Sequence, residues 1–393
     1  TRRLRTPRGL AFTSRADESG ARTGPGLPPR TMSLHRLATR DGCVRVEVCA
    51  YGLTIHRIEV QREQRTFDVL AGPEDAADHR ALGRRFYGQV VGRYANRLPA
   101  GTWACRDGTL QLAEWGGAGI SHHGGPPPSR AEQAGGPWDC VTWAHLPRPS
   151  MYTQAECDVW DASACFVHES PAGDQGYPGR VRVEALVGVR AGVSSLGQVH
   201  VEYRARIEDE ASATPLNVTQ HWGFYLGTSE PATVDGHTFR LHCDTVHRLV
   251  LDERGVPTGA VEACAGTPYD WTQPDQRIRP DADYDHFYVW GAKRDANAPI
   301  ATLSGSNGLA LVFRTNQTGV QMYVPPGPTG AHKALHAAYG PHHAVFLEWS
   351  APHATFLRPA LQAWAGGDTW LREGHMYQNY VTMDIEPHHH QPA

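Results

Sequence analysis

From about residue 40 onward, apolar and polar positions alternate in short runs. Residues 199–207 read Val-His-Val-Glu-Tyr-Arg-Ala-Arg-Ile, every odd position apolar and every even one polar. A period of two is that of a β-strand with one buried and one wet face. Residues 44–48, 181–185 and 238–242 repeat it, while 309–315, 320–324 and 344–349 read as strands covered more fully. Turn signals such as Pro178-Gly179, Asp235-Gly236, Arg254-Gly255 and Asn307-Gly308 separate the runs. No window of about 11–18 residues carries a helical stripe, and residues 369–377 are expected to hold at most a turn or two of helix. Many short strands bounded by turns predict an all-β fold of large antiparallel sheets. One domain is expected over 33–386, with a disordered Arg-rich leader at 1–32 and a disordered His-rich tail at 387–393.

Charge sharpens this division. Residues 1–40 hold nine arginines against Asp17 and Glu18, a net of +7, so the formal net charge of −4 leaves −11 on the rest. The leader lacks apolar periodicity and reads as an unstructured extension ahead of Met32, an organellar transit peptide being the lesser reading. A near-neutral total argues against nucleic acid or a membrane as partner. No apolar run reaches the roughly 18 residues of a membrane helix. Eight cysteines without zinc-like spacing read as reduced thiols, and a cytoplasmic location is expected. The triplet Asn217-Val218-Thr219 reads as a chance glycosylation match.

Four stretches put polar groups where strands should bury apolar ones. Residues 86–97 contain Gly88 and Gly92 within a strand-like run that ends in Asn96-Arg97, a fan of donors. His122-His123 runs into Gly124-Gly125. In residues 214–226, Asn217, Thr219 and His221 alternate and are expected to share a strand face, with Thr219 placed to hold the ring of His221; the competing reading of His221 is a satisfied core histidine. Near the C-terminus come Asp285, Gln321 and Glu348. Glu348 lies between Leu347 and Trp349, where desolvation would raise its pKa and suit it to act as a base; a wet-face glutamate is the alternative.

Together these segments resemble the aldose 1-epimerase (galactose mutarotase) family. The matches are GRYANR at 92–97, HHGG at 122–125, DQGYPG at 174–179 and TPLNVTQHWGF at 214–224. They continue with YDHF at 284–287, VQMY at 320–323, FLE at 346–348 and the turn at 371–374, in family order over about 40–385. The resemblance implies a β-supersandwich and interconversion of the α and β anomers of free aldohexoses of the glucose and galactose type. It implies Glu348 as general base and His221 as general acid, on opposite sides of the sugar. It implies Asn96, Arg97, His123, Asp285 and Gln321 as contacts to sugar hydroxyls, His123 being preferred to His122 because it immediately precedes the glycine pair.

Mutarotation takes a proton from the anomeric hydroxyl and delivers one to the ring oxygen, so the ring opens, C1–C2 rotates and the ring recloses. One acid and one base suffice, and no cofactor or metal is expected. The expected partner is a small-molecule sugar, the chain acting as a monomer or weak homodimer. Trp222 or Trp349 could pack on a sugar face or in the core, and His332, His336, His342 and His343 form a weak candidate metal cluster. Three competing functions are a glycoside hydrolase using Asp285 and Glu348, a hexose-6-phosphate epimerase, and a non-catalytic sugar-binding module.

Overall fold

The computed structural model describes residues 32, 34–105, 108–128, 135–274, 276–279, 281–291, 293–327 and 331–388. The expected leader, Met32 apart, and the tail beyond His388 lie outside the described residues. The last strand, Tyr377–Pro387, continues one residue past the expected domain limit, and the amide of His388 bonds the carbonyl of Gly308.

The alternating segments become strands, and the fold is an all-β supersandwich of antiparallel sheets. Leu34–Ala38, Val44–Cys49, Thr54–Arg62 and Arg65–Asp68 form a four-stranded sheet in chain order. A sheet of eight strands runs Ala144–His145, Ala162–Ser170, Val181–Arg190, Gly197–Ile207, Tyr377–Pro387, Leu309–Thr315, Ala301–Ser304, Thr238–Leu241. A sheet of six strands runs Trp222–Phe224, Val345–Ser350, Gly319–Tyr323, Asp285–Val289, His247–Leu251, Pro257–Ala263. One apolar cluster joins all three: Val46 and Ile58 from the first, Val183, Val201 and Phe313 from the second, Tyr288, Met322, Leu347 and Trp349 from the third. Burying that shared surface is what holds the sheets together.

Residues 369–377 hold no helix: Trp370–Arg372 is a short strand paired with Ala213–Pro215, and the nearest helix is Gln362–Ala365. One expectation needs correction. The strand Gly197–Ile207 is wet on its polar face only toward its end, where Arg206 is exposed. His200 and Glu202 are buried, because this strand is central in its sheet and Trp160, Tyr380 and Gln378 cover that face. All eight cysteines are free, and the Asn217 side chain is buried, which leaves no room for a glycan there.

Candidate active site

The six-stranded sheet builds the site by alternation. Register pairs Gln321 with both Glu348 and Phe287, and Asp285 with Tyr323. Leu347, Trp349, Met322, Val320 and Tyr288 project into the core. The residues between them, Phe346, Glu348, Gln321, Tyr323, Asp285 and Phe287, therefore share the opposite face. Trp222 and Trp349 are on the core side of this sheet, so packing on a sugar is excluded for both.

His221 sits at a break. Thr219–Gln220 pairs with Val90–Val91 in one small sheet, and Trp222–Phe224 pairs with Val345–Ser350 in the large one. Between the two, the His221 amide bonds Gln89 O at 2.8 Å and its carbonyl accepts from Gly88 N at 2.9 Å. Gly88 must lack a side chain, since a Cβ there would stand 2.3 Å from Ile55 O. Because Trp222 opposes Leu347, the next position brings His221 beside Glu348, with Nε2 3.2 Å from Oε1. The pair stands side by side, His221 at the break and Glu348 on the strand next to it. Thr219 does not hold the His221 ring; its hydroxyl turns to Gln220 O. Rings do: Phe86 stacks on the imidazole at 5.2 Å and 29°, with Phe346 and His123 at its edges. Asn217 instead brackets the backbone of Ala351 with both amide atoms, fixing the chain where it leaves the Glu348 strand.

The N-terminal segments close over this face. Asn96 Nδ2 donates to Gln321 Oε1 (2.8 Å), Gln321 Nε2 to Asp285 Oδ1 (2.7 Å), and Arg97 Nη2 to Asp285 Oδ2 (2.9 Å). The amide of Asn96 donates to His123 Nδ1 at 3.1 Å, and the amide of His123 returns a bond to Asn96 O. All seven residues implied by the resemblance are thus brought together. Asn96, His123, Gln321, His221 and Glu348 are 3–5% exposed, while Arg97 and Asp285 lie on the solvent side. Phe86, Asn96 and His123 have φ of 56°, 66° and 48°, a left-handed backbone that residues other than glycine seldom adopt and that concentrates at functional sites.

Burial controls the electrostatics. Desolvation, helped by Asp285 and opposed by Arg97, lifts the Glu348 carboxyl to about 8. Desolvation also pushes His221 down to about 3. From about pH 3 to about pH 8 the pair therefore carries one proton, at rest on Glu348, with His221 neutral beside it. Glu348 Oε2 has no hydrogen-bond partner, an unmet acceptor in a dry setting.

His123, His221 and Glu348 converge closely enough to suggest a metal triad. The donor set does not fit one. His123 Nδ1 is taken by the Asn96 amide, which puts its proton on Nε2 and makes that nitrogen a donor. The other histidine cluster does not converge either. His336 bonds Tyr339 and Asp68 O, and His343 bonds Tyr87 and Gly340 O.

Residues not singled out from the sequence complete the walls. Arg84 is bidentate to Asp139 and also donates to the carbonyls of His123 and Gly125. Arg93, buried, gathers the 174–179 turn through five hydrogen bonds to Ser170, Pro171, Pro178 and Gly179. Phe86 lies in a stretch whose glycines and donors attracted attention, but its positive φ leaves no mark in an amino-acid pattern.

The chain is similar to proteins already known. The galactose mutarotase of Homo sapiens is 27% identical over 326 residues, covering 81% of this chain and 86% of its own. The aldose 1-epimerase of Haemophilus influenzae is 25% identical over 353 residues, 87% and 92% of the two chains. Among solved structures, a GalM/aldose epimerase homologue from C. elegans superposes with a TM-score of 0.70 at 16% identity, over 91% of this chain and all of that one. The galactose 1-epimerase of Lactobacillus acidophilus NCFM superposes with a TM-score of 0.64 at 19% identity, with the same coverage. The family described as aldose 1-epimerase matches residues 35–381, and the chain belongs to that family of isomerases.

Proposed function

We propose that the protein interconverts the α and β anomers of free aldohexoses of the glucose and galactose type, with Glu348 as the base and His221 as the acid. The observation that carries this reading is the 3.2 Å contact between these two buried groups. The anomeric hydroxyl and the ring oxygen are both bonded to C1, so the groups that serve them must stand side by side. The pair's proton first passes from Glu348 to His221 across their contact; the Glu348 carboxylate then takes the hydroxyl proton while the His221 imidazolium gives its own to the ring oxygen; the ring opens, C1–C2 turns, and reclosure reverses both transfers. Asn96, Arg97, His123, Asp285 and Gln321 meet the other hydroxyls, His123 as a donor through Nε2.

The hydrolase reading loses support from Asp285. Both its oxygens already accept, from Gln321 and Arg97, which leaves neither poised to attack C1 or to activate a water as the second carboxylate must. A non-catalytic module has no use for a buried carboxyl lifted this far. We further read the chain as a cytoplasmic monomer or weak homodimer; among the described residues no helix is long and apolar enough to cross a membrane. Polarimetry of freshly dissolved α-glucose and α-galactose tests the activity. Acceleration of optical rotation toward its equilibrium value is expected, and an unchanged rate with both sugars would overturn the reading.

A further inference from the structure

The wall behind the acid is built more tightly than packing alone requires. Phe86 is half-buried and adopts a φ of 56°, which an aromatic residue rarely does. That backbone turns its ring flat onto the imidazole of His221, 5.2 Å between centroids at 29°. The guanidinium of Arg84 stands 5.0 Å from the same ring. Arg84 cannot swing away. Its Nε and Nη2 hold both oxygens of Asp139 at 2.7 and 2.8 Å, Nη1 bonds Gly125 O at 2.6 Å, and Nη2 bonds His123 O at 2.7 Å. Phe86 is therefore in contact with both His221 and an arginine anchored to the loop that carries His123.

We propose that Phe86 is a positioning residue for the acid: in contact with Arg84 as well, it fixes the plane of the His221 ring against Glu348 and presents its π face to that ring when it is protonated. This rests on the assignment of His221 as the acid. The negative face of an aromatic ring favours a cation above it. Other groups facing the imidazole act on the same proton. Glu348 lies at 3.2 Å and favours the cation. His123 meets the ring edge-on at 5.4 Å, and Asp285 and His122 lie within electrostatic reach. Phe346 contacts it at 60° and offers no face. Phe86 is thus the aromatic ring stacked on this histidine among the described residues.

The test compares Phe86→Leu and Phe86→Tyr in the full chain, reading kcat, KM and the pH profile of kcat/KM by polarimetry. Phe86→Leu keeps an apolar side chain and removes no side-chain hydrogen bond, so folding should persist, as a melting curve will verify. The expected result is a kcat about tenfold lower with KM within about twofold. Its alkaline limb should stay in place, because at rest the pair's proton sits on Glu348 and the π face acts only on the imidazole once protonated. Phe86→Tyr should restore kcat. A Phe86→Leu variant with unchanged kcat overturns the proposal, as does a loss confined to KM, which would make the ring a sugar platform. Wild-type protein that shows no mutarotation would defeat the functional reading itself, a result distinct from either.

Discussion

Two buried glutamates on two sheets of this protein have opposite fates. Glu202, on the polar face of the eight-stranded sheet, has both oxygens occupied: Arg204 Nε and Gln378 Nε2 each donate at 2.7 Å to Oε1, and His200 lies 3.4 Å from Oε2. Burial by itself would raise its pKa, but the bonds from His200 and Gln378 carry it below the usual glutamate value. Glu348, on the six-stranded sheet, touches His221 through one oxygen and leaves the other unpartnered, and burial lifts it to about 8. Neither burial nor a polar stripe marks a site in this fold. What separates them is whether both oxygens of the carboxylate are engaged. A saturated network is a structural element, and an unsatisfied acceptor is chemistry held in reserve for a ligand.

The sharpest way to break this contrast is to neutralise each carboxylate in turn. Glu348→Gln keeps the volume and removes the proton acceptor, so kcat should fall by about 10²-fold or more with little change in KM, measured by polarimetry. His221→Asn should do the same. The double variant should lose much less than the product of the two, since the groups work as one relay. Near-normal mutarotation by Glu348→Gln would show that the base is elsewhere.

The unsubstituted protein offers a second, smaller readout. In the proposed mechanism the working form of the pair holds one proton, which departs as pH rises through the elevated pKa of Glu348. The value of kcat/KM should therefore fall about tenfold per pH unit above about 8. A rate that keeps rising past pH 9 would mean that the pair works without that proton.

Glu202→Gln should do the reverse of Glu348→Gln, costing about 1–3 kcal/mol of stability in denaturant titration while kcat stays unchanged. The sign also shows in the pH dependence of unfolding. Because the folded pKa of Glu202 is depressed, its contribution is present above the ordinary glutamate pKa and is lost as pH falls through the folded value. A Glu202→Gln variant as stable as the parent would mean that its network is ornamental. The smallest effect is expected at the far end of the chain: a protein beginning at Met32 should match the full chain in melting temperature and activity.

Much of the site was legible in order of sequence and not in space. The residue types that proton transfer and hydroxyl binding demand stood out because they interrupt apolar runs, as Glu348 does between Leu347 and Trp349 and His221 does before Trp222. Their neighbours were harder to read. Thr219 seemed to share a strand with His221, but the chain changes sheets at that residue, and alternation has no meaning across such a break. Arg84 and Phe86 carried no signal, since a clamp to Asp139 and a left-handed φ depend on contacts distant in the chain.

By itself the sequence determined the strand pattern, because a period of two is a local consequence of which side chains can be buried. It likewise determined the chemical vocabulary: carboxyl, imidazole, amide and guanidinium in segments where solvation was scarce. Only the tertiary structure decided which of these groups would find partners. The stripe at His200 and Glu202 and the stripe at Gln321 and Glu348 look alike as strings of letters. Cross-strand register places Gln378 and Thr382 against the first, and His221 against the second with an oxygen left over. Register is set by the packing of whole sheets, a long-range property that no local pattern contains.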